Sequence, residues 1–320
     1  MESMANQFDA RGRLRHLITL KGLPGQLLVE LLDRSAAFLT PPGALPARRS
    51  ALAGRTVANL FFEPSTRTRA SFELAARRLG ADVLSLDVST SSRAKGESLI
   101  DTIYTLQAMQ VDIFVVRDAQ SGIPDFICEH VAPHVSVLNA GESHLNHPTQ
   151  GLLDVLTIRR HKTRLEDLVV TIVGDIQHSR VARSAQHALA TLGVGELRLV
   201  APPALAPEPG EFPGAVLMDT IDTGVADADV IMALRIQRER MEASRNPDPA
   251  AYHREFGLTE ERLAMAKPDA IIMHPGPMNR DVEIAGAVAD CSRSVIAEQV
   301  TNGLAVRMAV MQTVMETLHG

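Results

Sequence analysis

Short apolar runs alternate with stretches of helical period along nearly the whole chain. The strand candidates are Thr56–Phe62, Asp82–Leu86, Asp112–Val116, Val135–Leu138, Leu168–Val173, Leu197–Val200, Val230–Leu234 and Ala270–Met273. Several are rich in Val and Ile without strict polar alternation, the pattern of parallel strands covered on both faces. Between them, the stretch from Arg67 to Leu79 carries Phe72, Ala75, Ala76 and Leu79 at the i, i+3, i+4, i+7 spacing of a buried stripe. Gly96–Met109 and Arg180–Leu192 read as further helices. Glu298–Thr317 reads as a closing helix with the stripe Val300, Leu304, Met308, Met311 and Met315, its methionines serving as core filler. The alternation predicts an α/β fold, with two doubly wound domains built on parallel sheets and joined by helices. A boundary is expected within residues 148–165, giving a first domain over 1–147, with 298–320 packing back on it, and a second over 148–297.

Irregular segments punctuate this order. Pro41–Ser50 is a loop rich in Pro and Arg, and Pro202–Gly214 reads as a surface loop. Gln237–Glu255 is strongly charged, carries Asn246-Pro247-Asp248-Pro249, and reads as a long mobile loop of the kind that forms lids or binding elements. Met1–Arg15 has no apolar core, so it is no signal peptide and reads as an extension with little fixed structure.

Composition narrows the classes. The 320 residues fit roughly two domains of ~150 residues each. A net charge of −6, from 32 Lys+Arg against 38 Asp+Glu, argues against general nucleic-acid binding but leaves room for a local cationic pocket. Cys128 and Cys291 form neither a metal cluster nor a disulfide framework, which fits a reducing, cytoplasmic setting. No apolar run approaches the ~18 residues of a membrane span.

The densest chemistry is Ser65-Thr66-Arg67-Thr68-Arg69, directly after Phe61-Phe62-Glu63-Pro64. Hydroxyls and guanidiniums gather where a strand gives way to a helix, and a helix start attracts anions through its free N–H groups and dipole. Arginine adds a planar fork that matches phosphate oxygens. An ordinary Ser/Thr cap accounts for neither Thr68 nor Arg67, so the run reads as a phosphate site.

Weaker signals follow in order. Ser89–Gly96, with Ser91, Ser92 and Lys95, is either an oxyanion-binding loop or a solvated one. Arg117 stands at a strand end, suited to an anion or to a surface ion pair. His147-Pro148-Thr149-Gln150 reads as a rigid turn opening a helix, after a short run containing Asn139, Gly141, Glu142 and Asn146. Gly174-Asp175 lacks the GxGxxG of a dinucleotide site. Arg180 and Arg235, the latter followed by Ile236-Gln237, stand at two strand ends, where they grip a dicarboxylate or are plain surface cations. His274-Pro275-Gly276-Pro277 fixes an unusual backbone course and exposes carbonyls.

Taken together, these residues resemble the transcarbamylase superfamily, from about Leu14 to the closing helix. Arg235-x-Gln237 and the His274–Pro277 stretch resemble its aspartate carbamoyltransferase branch, because ornithine enzymes usually carry a cysteine where Pro275 stands. The resemblance implies transfer of a carbamoyl group from carbamoyl phosphate to L-aspartate in pyrimidine synthesis, with no metal or organic cofactor. It implies that Ser65, Thr66, Arg67 and Thr68 hold the phosphate, and that Thr68, Arg117 and His147 converge on the carbonyl oxygen. Gln150 and the backbone carbonyls of Pro275 and Gly276 would take the carbamoyl NH2. Arg180, Arg235 and Gln237 would bind aspartate, together with Lys95. Ser91 (or Ser92) and Lys95 resemble a loop inserted by a neighbouring subunit, which implies a homotrimer. Dihydroorotase-like or regulatory chains are possible further partners. Other readings remain open here: an ornithine-type acceptor, an NAD-dependent dehydrogenase, or a non-catalytic scaffold.

Overall fold

The computed structural model describes residues 6–41, 43–46, 48–87, 98–237, 241 and 247–319. They divide into two compact units, one of residues 1–152 with 301–320 and one of residues 153–300. The helices Pro148–His161 and Ile296–His319 run across the two divisions.

In the first unit, β1 (Thr56–Phe61), β2 (Asp82–Asp87), β3 (Ile113–Asp118) and β4 (Ser136–Glu142) form a parallel sheet in the order β2-β1-β3-β4. β3 and β4 are buried throughout, which explains the apolar run Ile113–Val116, although β4 also buries the polar side chains of Ser136, Asn139 and Glu142. One face packs Ala58, Leu60, Phe114, Val116 and Val137 against Ile103, Leu106 and Ile127. The expected stripe of the helix Thr66–Arg78 is realised, with Phe72, Ala75 and Ala76 buried. The Arg307 guanidinium of the last helix lies 5.0 Å from the centre of the Phe72 ring. On that helix Met308, Met311 and Met315 are buried, but Val300 is exposed and does not belong to the stripe.

The N-terminal segment corrects an expectation. From Gln7 onward it is built into the unit. The Gln7 side chain is fully buried, and its Oε1 accepts the N–H groups of Ile18 (2.6 Å) and Thr19 (3.0 Å). Asp9 holds the turn through Arg13, whose Nη2 donates to the Thr317 carbonyl at 2.7 Å. Order here comes from buried polar pairing, which leaves no apolar pattern to read.

In the second unit, β5 (Val169–Val173), β6 (Glu196–Val200), β7 (Ala215–Met218), β8 (Val230–Ala233) and β9 (Ile271–Met273) form a second parallel sheet, in the order β7-β6-β5-β8-β9. β7 was not among the strand candidates. It is a short edge strand whose Val216 and Leu217 are both exposed. The Pro202–Gly214 loop is pinned by buried Leu205 and Phe212, with the Arg183 guanidinium 5.2 Å from the Phe212 ring centre. Pro249–Phe256, expected within a loop, is a helix: Asp248 accepts the Ala251 N–H at 2.8 Å and Pro249 occupies the first turn. No described helix is long and apolar enough to cross a membrane.

Candidate active site

Both sheets reverse their strand order once, and in such sheets the loops leaving the strands on either side of the reversal diverge to open a crevice. The reversal falls between β1 and β3 in the first sheet and between β5 and β8 in the second. Ser65–Thr68 and Arg117 lie at the first of these points and Arg180, Arg235 and Gln237 at the second, whereas His147 and Gln150 follow β4 and His274–Gly276 follow β9, the neighbouring strands.

The chain leaves β1 through Phe62-Glu63-Pro64 and enters the helix Thr66–Arg78 at Ser65. Ser65 occupies the cap position in an extended conformation (φ −160°, ψ 91°), yet its side chain makes no capping hydrogen bond, and the first turn holds no acidic residue. The plain cap reading is therefore not realised. The turn offers amides and hydroxyls at the positive end of a helix dipole, with Thr66 and Arg67 exposed and Ser65 and Thr68 half-buried.

Arg117 lies within β3 rather than after it, opposite Phe61 of β1. Its guanidinium is buried: Nη2 lies 2.5 Å from Glu63 Oε1, and Nη1 donates to the Ala140 carbonyl at 3.1 Å. It thus links the loop after β1 to the end of β4. His147 stands just past β4, buried, and its carbonyl accepts the N–H groups of Gln150 (2.9 Å) and Gly151 (3.2 Å). Pro148 is the first residue of the helix so opened, and Gln150 is buried in its first turn.

At the second reversal the turns after β5 and β8 pack closely. Gly174 has φ +132°, and a Cβ there would sit 2.6 Å from the Leu234 carbonyl oxygen, so only glycine fits. Asp175, fully buried, holds the turn. Its Oδ1 contacts His178 Nδ1 at 2.8 Å, and its Oδ2 accepts the Gln237 N–H at 3.1 Å. Gln237 Nε2 donates to the His178 carbonyl at 2.8 Å. Arg180 opens the helix Arg180–Thr191, whose cap Ser179 accepts the Ala182 N–H; Arg180 is buried and Arg235 half-buried.

After β9, His274 Nδ1 accepts the Gly276 N–H at 2.8 Å, so its proton sits on Nε2, which lies 3.1 Å from Glu283 Oε1. Gly276 takes φ +61°, and the peptide bond to Pro277 is cis. Ser91, Ser92 and Lys95 lie outside the described residues. Asp175 was noted in sequence without a role. A carboxylate directly behind a strand-end glycine was the available signal.

Residues 15–160 match the family model of the aspartate/ornithine carbamoyltransferase carbamoyl-P binding domain, and residues 166–314 match that of the Asp/Orn binding domain. The chain belongs to the aspartate/ornithine carbamoyltransferase family. Among solved structures, this carbamoyltransferase is similar to the catalytic subunit of the M. jannaschii aspartate transcarbamoylase, at 32% identity over 96% of this chain and 100% of that one, with a TM-score of 0.81. It is similar to the Trypanosoma cruzi aspartate transcarbamoylase in complex with carbamoyl aspartate and phosphate, at 28% identity, 93% and 95% coverage and a TM-score of 0.82. The ornithine carbamoyltransferase from Pyrococcus furiosus is comparable, at 28% identity, 94% and 97% coverage and a TM-score of 0.82.

Proposed function

We propose that this carbamoyltransferase uses L-aspartate as its acceptor, giving N-carbamoyl-L-aspartate and phosphate for de novo pyrimidine synthesis in the cytoplasm. One observation supports the choice of acceptor. The turns after β5 and β8, which lead to Arg180 and carry Arg235 and Gln237, lie at the second reversal point, and the Gln237 backbone is tied to buried Asp175. A dicarboxylate calls for guanidinium forks, whereas the side-chain ammonium of ornithine calls for acceptors.

In this reading Ser65, Thr66, Arg67 and Thr68 hold the phosphate of carbamoyl phosphate. Thr68, Arg117 and His147 stabilise charge on the carbonyl oxygen as the tetrahedral transition state forms; one such donor is typically worth about 10²–10³ in rate. Gln150 and the carbonyls of Pro275 and Gly276 accept from the carbamoyl NH2. Arg180, Arg235 and Gln237 bind the two carboxylates of aspartate. The aspartate amine attacks the carbamoyl carbon, the C–O bond to phosphate breaks, and the departing phosphate accepts the amine proton. No enzymic nucleophile takes part, and holding the two substrates together supplies much of the remaining acceleration. Ser91 and Lys95 reach the site of a neighbouring subunit, which makes the working unit a homotrimer.

The test is direct: supply carbamoyl phosphate with L-aspartate or with L-ornithine and identify the product. Carbamoyl aspartate alone is expected, and citrulline as the main product would overturn the reading.

A further inference from the structure

Glu142 ends β4, is 2% exposed, and has no basic side chain paired with it among the described residues. A carboxylate buried without a cation is costly unless N–H groups replace its water. Here they do. Oε1 accepts the Gly122 N–H at 2.7 Å, and Oε2 accepts Nδ2 of Asn139 at 3.1 Å and of Asn146 at 3.0 Å.

These partners lie on three segments. Gly122 caps the helix Ile123–His130, Asn139 lies inside β4, and Asn146 directly precedes His147. Asn146 is held from its other side by the Thr19 hydroxyl (2.7 Å), and its carbonyl accepts the Glu142 N–H at 2.8 Å. Asn139 also donates to the Ile18 carbonyl (2.9 Å) and accepts from Gly141 (2.9 Å), which shapes the strand around Ala140, the residue that receives Arg117. The β3–β4 register shifts at Arg117, with Asp118 opposite Glu142. One carboxylate therefore closes the turn that delivers His147 and braces the strand end that anchors Arg117.

We infer that Glu142 is a positioning residue for carbamoyl transfer, acting through His147 and Arg117 by way of Asn146 and Asn139. The inference rests on the roles proposed above for His147 and Arg117. A displaced donor loses transition-state stabilisation, so the effect falls on kcat rather than on phosphate binding at the Ser65–Thr68 turn.

The experiment is a double-mutant cycle on the full-length enzyme, with Glu142→Gln, His147→Ala and both together, reading kcat at saturating substrates and the affinity for inorganic phosphate. Glu142→Gln should lower kcat by about tenfold or more with phosphate affinity within about twofold. Added to His147→Ala, it should cost clearly less than it does in the wild-type background, because only the part that acts through Arg117 remains. Asn146→Ala, which removes only one of the three donors, should behave the same way and serves if Glu142→Gln fails to fold. Full-rate turnover of a folded variant, or effects that multiply in the double mutant, overturns the inference. Normal turnover of His147→Ala instead overturns the underlying role of His147, so the two failures are distinguishable.

Discussion

The two reversal points differ in what holds their turns. After β1, the helix start at Ser65 carries no side-chain cap, and Thr66 and Arg67 lie at the surface. After β5, the turn closes over Asp175, a buried carboxylate gripping His178 and Gln237. An uncapped helix start keeps its donors for a ligand, and a polyanion supplies the acceptors. A turn closed on a buried carboxylate instead gives Arg235 and Gln237 a backbone with little freedom. The same device of sheet topology thus leaves a helix start without a side-chain cap in one unit and a turn closed on a buried carboxylate in the other.

This contrast can be broken with two arginines. Arg67→Ala should lower kcat by about 10²–10³ with little change in melting temperature, since Arg67 is exposed. Arg235→Ala should chiefly raise the aspartate KM, by about 10–100-fold, the equivalent of about 1.5–3 kcal/mol for hydrogen bonds to a charged group. Steady-state kinetics with each substrate varied separates the two. Near-normal turnover in the first, or an unchanged aspartate KM in the second, removes the contrast.

A smaller effect sharpens it. Asp175 has donors for both oxygens, whereas Asp125 Oδ1 is buried with no hydrogen-bond partner among the described residues. Burial, with Glu142 and Glu129 nearby, pushes Asp125 up from 3.8 to about 6. Ionisation therefore opposes folding. The cost is absent below pH 3.8, grows as pH rises, and is complete above about 6. Solvent screening of this half-buried group limits it to about 1 kcal/mol. Asp125→Asn should stabilise the protein by that amount at pH 7.5, and the gain should fade as pH drops below 6 in denaturant titrations. A gain independent of pH would contradict the assignment.

Much of this architecture was legible because parallel strands covered on both faces, such as Val169–Val173, leave dense apolar runs. β7 was not, because Ala215–Met218 is an apolar run of only four residues, directly after a loop rich in Pro and Gly, and as an exposed edge strand it is not buried like the others. The helix Pro249–Phe256 hid within a charged stretch, although Asp248-Pro249 was its start signal. Gln7 was invisible because a hydrogen-bonded buried amide has no hydropathic signature. At the site, the Ser65–Arg69 and His147–Gln150 runs declared themselves by density of functional groups. Glu142 and Asp175 did not declare their roles, because a single carboxylate reveals its partners only once the chain is folded.

The central claim is that the first reversal point takes the leaving phosphate and the second takes the dicarboxylate. A crystal grown with carbamoyl aspartate and phosphate tests it most directly. The account predicts phosphate within hydrogen-bond distance of the Ser65–Thr68 amides and hydroxyls, and the carboxylates on Arg180 and Arg235. Phosphate bound elsewhere while the Ser65–Thr68 turn faces bulk solvent would contradict it.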